Sequence, residues 1–206
     1  MLQTRTIEPA TLGLLRQLMA LPELESFYLV GGTALALQLG HRFSVDLDLF
    51  TTEPFDKEAV FYLLNDTFES VTLESESASM LITNINEVKV DFVKMGYPVL
   101  FPPLMKGGVR MLEVRDIAPM KLKAIAQRGS KKDFYDIHFL LELMPLSEMI
   151  QLFSEKFKQQ EVFHIIKSLN YFEDAAQYAD PVVFDKTVTW KKVKSEIQAA
   201  VKNMIP

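Results

Sequence analysis

The stretch Leu29 to Phe50, LVGGTALALQLGHRFSVDLDLF, most constrains what this chain can fold into. Leu29 and Val30 read as the end of a buried strand, and Gly31-Gly32 then gives the backbone room for a tight turn and close approach to a ligand. Thr33 to Leu39 is helix-forming, with Ala34, Leu35, Ala36 and Leu37 in a row. The short polar link His41-Arg42-Phe43-Ser44 leads into Val45-Asp46-Leu47-Asp48-Leu49, which alternates with period two. Val45, Leu47 and Leu49 are expected to face a core, while Ser44, Asp46 and Asp48 share the opposite face.

The apolar face needs only a core to pack on. Two aspartates about 6–7 Å apart along a strand are harder to place, because Asp is depleted in strands and like charges held together repel. A solvated face is the ordinary explanation. A cation between the carboxylates is the other, and Mg²⁺ suits it, as a hard ion bound by carboxylates and substrate phosphates. The Gly-Gly turn opening a helix supplies the complementary half of a phosphate site, through free N–H groups and the positive end of the dipole.

GG followed further on by Arg-x-Ser-x-Asp-x-Asp resembles the nucleotide-binding signature of polymerase-β-type nucleotidyltransferases. Its form here, GGTALALQLGHRFSVDLDLF, resembles the AbiEii branch, the nucleotidyltransferase-like toxins of abortive-infection and toxin–antitoxin systems. That resemblance implies an NTP substrate, Mg²⁺ or Mn²⁺, and nucleotide binding by Gly31, Gly32, Thr33, Arg42 and Ser44.

The 206 residues can bury a sizeable core, as one large domain or two small lobes. No apolar run approaches a membrane span and the N-terminus lacks signal-peptide shape, so a cytoplasmic protein with no membrane partner is expected. There are no cysteines, which excludes disulfides, thiol catalysis and Cys-based zinc sites. A net charge of −5 argues against a protein that coats nucleic acid, though a local basic patch can still hold a strand end.

Along the chain, Ile7–Leu21 reads as an amphipathic helix, Phe27–Val30 as the first strand and Lys57–Thr67 as a helix. Ser70–Glu74, Ser79–Asn84 and Glu87–Val93 have strand character, with a hairpin turn at Asn84–Asn86. In the last of them Val88, Val90 and Phe92 share one face, and Lys89 and Asp91 the other. A neighbouring strand then brings Asp91 beside Asp46 and Asp48, giving three carboxylates that suit two metal ions; an edge charge that discourages sheet pairing is the alternative. The resemblance also implies Asp91 as the third carboxylate. Tyr97–Met111 reads as an irregular connector, with a short strand at Val109–Leu112.

Beyond it the chain is helical. Asp116 reads as an N-cap with Pro119 in the first turn. Ile117, Lys121, Ile125 and Arg128 form one stripe, so Lys121 points inwards and needs an anion, while Lys123 points to solvent. After Gly129, Asp133, Asp136, Ile137, Leu140, Leu141 and Met144 share a face whose first turn meets something polar. Leu146–Lys158, Val162–Leu169, Tyr171–Ala179 and Thr189–Asn203 read as further helices. The resemblance extends through RGSKKDFYDIHFLL and implies Lys121 at the triphosphate and Asp133 and Asp136 closing the active site. Arg128, Lys131 and Lys132 would then oppose the phosphates.

The expected fold is thus α/β (α+β): a polymerase-β-like mixed sheet with flanking helices over residues 1–100, then a mainly helical lobe over 101–206, with the nucleotide in the cleft between them. The resemblance implies Mg²⁺-dependent transfer of an NMP from an NTP to a hydroxyl of RNA, such as a tRNA end, or of a protein. Asp46, Asp48 and Asp91 would hold metal, with Lys121, Asp133 and Asp136 completing the catalytic set. A cognate antitoxin is the implied partner. Transfer to a small molecule such as an aminoglycoside, or a non-catalytic binding protein with the same fold, are the rival readings.

Overall fold

A computed structural model describes residues 1–204, which divide into two compact units. The first comprises Met1–Gly40 with Ser44–Leu112, and the second His41–Phe43 with the chain from Glu113 onward. The short basic link inside the opening motif is therefore built into the helical unit.

The first unit is organised by a seven-stranded mixed sheet of order β3-β4-β5-β2-β1-β7-β6. Its strands are β1 (Tyr28–Leu29), β2 (Leu47–Thr51), β3 (Val71–Ser77), β4 (Met80–Ile85), β5 (Val88–Lys94), β6 (Leu104–Lys106) and β7 (Val109–Met111). With them come helices α1 (Pro9–Ala20), α2 (Gly31–Leu39) and α3 (Lys57–Thr67). β2 runs antiparallel to β1 and parallel to β5. Parallel neighbours need a long crossover, supplied here by α3 and the β3–β4 hairpin. Leu29, Leu47, Leu49, Val90 and Phe92 are buried, so the centre of the sheet is fixed by one apolar face.

The connector expected over Tyr97–Met111 contains two strands. β7 pairs in parallel with β1 through Leu29 and Met111, and antiparallel with β6. Arg110 explains why so short a piece holds: its guanidinium donates to the carbonyls of Met19, Leu24 and Phe27, at 2.7, 3.0 and 3.3 Å. Those carbonyls lie where α1 ends and β1 begins, and β propensity alone does not reveal them.

The second unit contains α4 (Val114–Arg128), α5 (Lys131–Leu141), α6 (Leu146–Phe157), α7 (Phe163–Leu169), α8 (Glu173–Ala176) and α9 (Trp190–Lys202). The helix expected over Tyr171–Ala179 is only the four residues of α8. Gly129 ends α4 in the left-handed region, φ 56°, where a side chain would be strained. Asp116 is not the N-cap; Glu113 is, accepting from the Arg115 N–H at 3.3 Å. Pro119 consequently lies inside the helix rather than in its first turn. Asp116 instead is fully buried and accepts from Lys156 Nζ of α6 at 2.6 Å, with both side chains wholly out of solvent. Lys123 does not simply face water, since its ammonium lies 4.4 Å from the centre of the Phe157 ring. Among the described residues no helix is long and apolar enough to cross a membrane.

A buried ion pair costs most when one partner is removed. Lys156→Met is therefore expected to lower the unfolding free energy by about 3–5 kcal/mol, measured by urea denaturation. Adding Asp116→Leu should recover much of that loss.

Candidate active site

On the open face of the sheet, the parallel pairing of β2 with β5 sets Asp48 directly opposite Asp91. Neighbouring strands lie about 4.8 Å apart, so the two carboxylates stand at one level. Asp46 immediately precedes β2 and is half-buried, as are Asp48 and Asp91. The alternation expected from Ser44 onward begins only at Leu47. Val45 is 53% exposed and Ser44 is buried, the reverse of the expected faces. Hydrogen bonding explains the reversal. The Ser44 N–H donates to the Thr6 carbonyl at 2.8 Å, and its hydroxyl bonds the Thr33 hydroxyl at 2.8 Å. Thr33 also donates to the Asp46 carbonyl. Thr33 and Ser44 thus fasten the first turn of α2 to the chain that carries Asp46.

Gly31 begins α2 with φ 69°, and a β-carbon there would overlap Asp48 Oδ2. Glycine is required twice over, by the left-handed backbone and by the approach of the carboxylate. The Val30 N–H donates to the Asp48 carbonyl at 2.9 Å, and the first bond inside α2 is Ala34 N–H to Val30 O at 3.4 Å. The N–H groups of Gly31, Gly32 and Thr33 precede that bond and lie at the positive end of the helix.

Asp91 accepts from Lys89 Nζ at 3.2 Å through Oδ2. Its Oδ1 is buried without a hydrogen-bond partner among the described residues. Burial raises the Asp91 pKa above the usual carboxylate value, Lys89 opposes that, and Asp46 and Glu74 add to it. Tyr97, missed in the sequence, also belongs to this neighbourhood: burial and then the Asp48 charge push its hydroxyl up to about 12. It follows β5 in a segment without periodic pattern, and only the register of β2 and β5 could have pointed to it. Among the described residues, no three carboxylate or imidazole side chains converge as arranged to enclose a metal ion. The expected three-carboxylate pocket is therefore not closed as it stands, and Asp91 Oδ2 is bonded to Lys89. The donor chemistry still suits a hard divalent cation: oxygen ligands only, repelling one another, with one carboxylate oxygen buried and unsatisfied.

The remaining expected residues lie in the helical unit. Asp136 of α5, wholly buried, accepts from Arg42 Nε at 2.6 Å, Arg42 Nη2 at 2.9 Å and His41 Nε2 at 2.8 Å. Lys121 Nζ is 2.6 Å from Asp136 Oδ2, which Arg42 Nη2 also meets, and 3.0 Å from Asp133 Oδ1. Arg128 donates to Asp133 at 2.8 and 3.0 Å. Lys121 does point inwards, and the anions it meets are the protein's own. Lys131 bonds Asp180 at 3.2 Å, and Lys132 is partly exposed at the start of α5. The His41–Phe43 segment is held further by Phe43 N–H to Val182 O at 2.8 Å and Phe184 N–H to His41 O at 3.0 Å.

Burial alone would raise the Asp136 pKa, but Arg42 and Lys121 hold it well below the usual carboxylate value. Burial likewise lowers the Lys121 pKa, yet Asp136 and Asp133 more than reverse this and raise it.

The model of the family described as "Nucleotidyl transferase AbiEii toxin, Type IV TA system" matches residues 13–204. An uncharacterized protein of Aquifex aeolicus (strain VF5) is 37% identical over 197 residues, covering 93% of this chain and 94% of its own. Among solved structures, JHP933 of Helicobacter pylori superposes with a TM-score of 0.57 at 17% identity, covering 96% of this chain and 93% of that one. MenT4, a nucleotidyltransferase toxin of Mycobacterium tuberculosis H37Rv, does so with a TM-score of 0.59 at 14% identity, covering 92% and 83%. Both structures share the fold.

A carboxylate with a depressed folded pKa adds stability above its unfolded value of about 3.9, and that stability is lost as pH falls through the folded value. The Asp136 contribution is thus intact at neutral pH and disappears only in strong acid. Asp136→Asn is expected to lower stability at pH 7 by about 3–5 kcal/mol and to flatten the acid limb of the Tm-against-pH curve, measured by calorimetry.

Proposed function

The chain belongs to the nucleotidyl transferase AbiEii toxin family, and from that membership we propose that it moves a nucleoside monophosphate from an NTP to a hydroxyl of RNA, such as a tRNA end, or of a protein. A cognate antitoxin is its proposed partner. The observation that carries the reading is the Asp48–Asp91 pairing beside a helix that must begin with glycine. Negative oxygens and free N–H groups stand side by side, the two halves of a site for a metal-bound triphosphate.

Asp46 and Asp48 would hold the divalent cation, Mg²⁺ or Mn²⁺. Bound there, it would neutralise phosphate charge and stabilise departing pyrophosphate. The N–H groups of Gly31, Gly32 and Thr33 would donate to phosphate oxygens at the start of α2. Thr33 and Ser44, bonded to each other, hold that turn against the Asp46 chain rather than reaching phosphate themselves. The acceptor oxygen attacks the α-phosphorus, the bond to the β-phosphate oxygen breaks, and the acceptor's proton leaves. Asp91 serves either a second cation or that proton.

In the helical unit we assign a framework role to Asp133 and Asp136, whose carboxylates are buried and already bonded to Lys121, Arg42 and Arg128. Arg42 and Lys121 act first through Asp136, fixing the His41–Phe43 link between α2 and Ser44.

Incubation of the purified protein with each labelled NTP, Mg²⁺ and total tRNA or cell extract tests the reading. Label is expected in a macromolecule with wild type, and a loss of at least about a hundredfold with Asp46→Asn or Asp48→Asn, in line with removal of an electrostatic stabiliser. The same variants should melt no lower than wild type in EDTA, because each removes like-charge repulsion. Near-wild-type transfer by either variant would dismiss the site.

A further inference from the structure

Lys89 lies two residues before Asp91 on β5, so the two share the open face. Its Nζ is 3.2 Å from Asp91 Oδ2, and its side chain is 43% exposed. Asp46 immediately precedes the Leu47↔Val90 pair, and its charge reaches Lys89. The ammonium therefore has a carboxylate along its own strand and another across the neighbouring one. Burial works against its charge, but Asp91, Asp46 and Asp48 together outweigh that and keep it protonated.

An ammonium and a metal ion compete for the same negative charge, because each relieves the same repulsion. Three carboxylates carry three negative charges. One divalent cation and one lysine balance them without a second ion. The tether matters too: the ammonium is part of the chain, so its local concentration at Asp91 does not fall on dilution.

We propose that Lys89 takes the place of a second cation, so that this site holds one divalent ion, at Asp46 and Asp48, with Asp91 committed to Lys89. This rests on the carboxylate-site reading above and resolves its open choice against a second metal at Asp91. Lys89 is then a positioning residue that sets metal stoichiometry. It predicts that replacing the ammonium with an apolar side chain of similar length opens Asp91 to metal.

Mn²⁺ binding to the full chain, without nucleotide, followed by electron paramagnetic resonance of the free ion, tests this independently of activity. Wild type is expected to bind one Mn²⁺. Lys89→Met should bind two, the second at least about tenfold tighter than any second ion on wild type. Lys89→Met combined with Asp91→Asn should return to one. Lys89 is exposed enough for the variant to fold, which its melting curve verifies. Two comparable ions on wild type would overturn the proposal, as would one ion of unchanged affinity on Lys89→Met. A wild type that binds no Mn²⁺ at millimolar concentration would contradict the carboxylate site itself, and the inference with it.

Discussion

Repulsion between aspartates on adjacent parallel strands is the constraint on which the first unit turns. Leu47, Leu49, Val90 and Phe92 are buried on the other face of β2 and β5, so neither strand can slip by one residue without exposing its core side. That register holds Asp48 level with Asp91 whatever the carboxylates would prefer. Each large apolar side chain contributes about 1.5–3 kcal/mol on burial. The core outweighs that repulsion. Gly31 completes the arrangement, since any side chain there would push Asp48 out of line.

The helical unit solves the opposite problem. It gathers Arg42, Lys121 and Arg128 around two buried carboxylates, Asp133 and Asp136. In isolation either set of charges would be costly to bury; together they satisfy one another and fix α4, α5 and the His41–Phe43 segment. Asp116 and Lys156 tie α4 to α6 by the same means.

Much of this was readable in the sequence where period and chemistry agreed. Leu47 and Leu49 alternating with Asp48, and Val90 and Phe92 with Asp91, gave both strands and their faces. The α4 and α5 stripes correctly placed Lys121, Asp133 and Asp136 inward. What failed was local pattern overridden by distant partners. Ser44 and Val45 reversed their expected faces because Thr6 and Thr33 claim Ser44. Asp116 looked like a cap because nothing nearby announced Lys156, forty residues away. β7 matched the short strand expected at Val109–Leu112, whereas β6 was hidden, as was the Arg110 anchor, whose acceptors lie back at Met19, Leu24 and Phe27. Periodicity also said that Lys121 needed an anion, without saying that the chain supplies it.

The most direct test of the account is the binding of an NTP to the intact protein by titration calorimetry, in Mg²⁺ and again in EDTA. Because the carboxylates repel phosphate until a cation intervenes, binding is expected only with Mg²⁺. Equal affinity in both conditions would contradict the view that Asp46 and Asp48 meet the nucleotide through a metal.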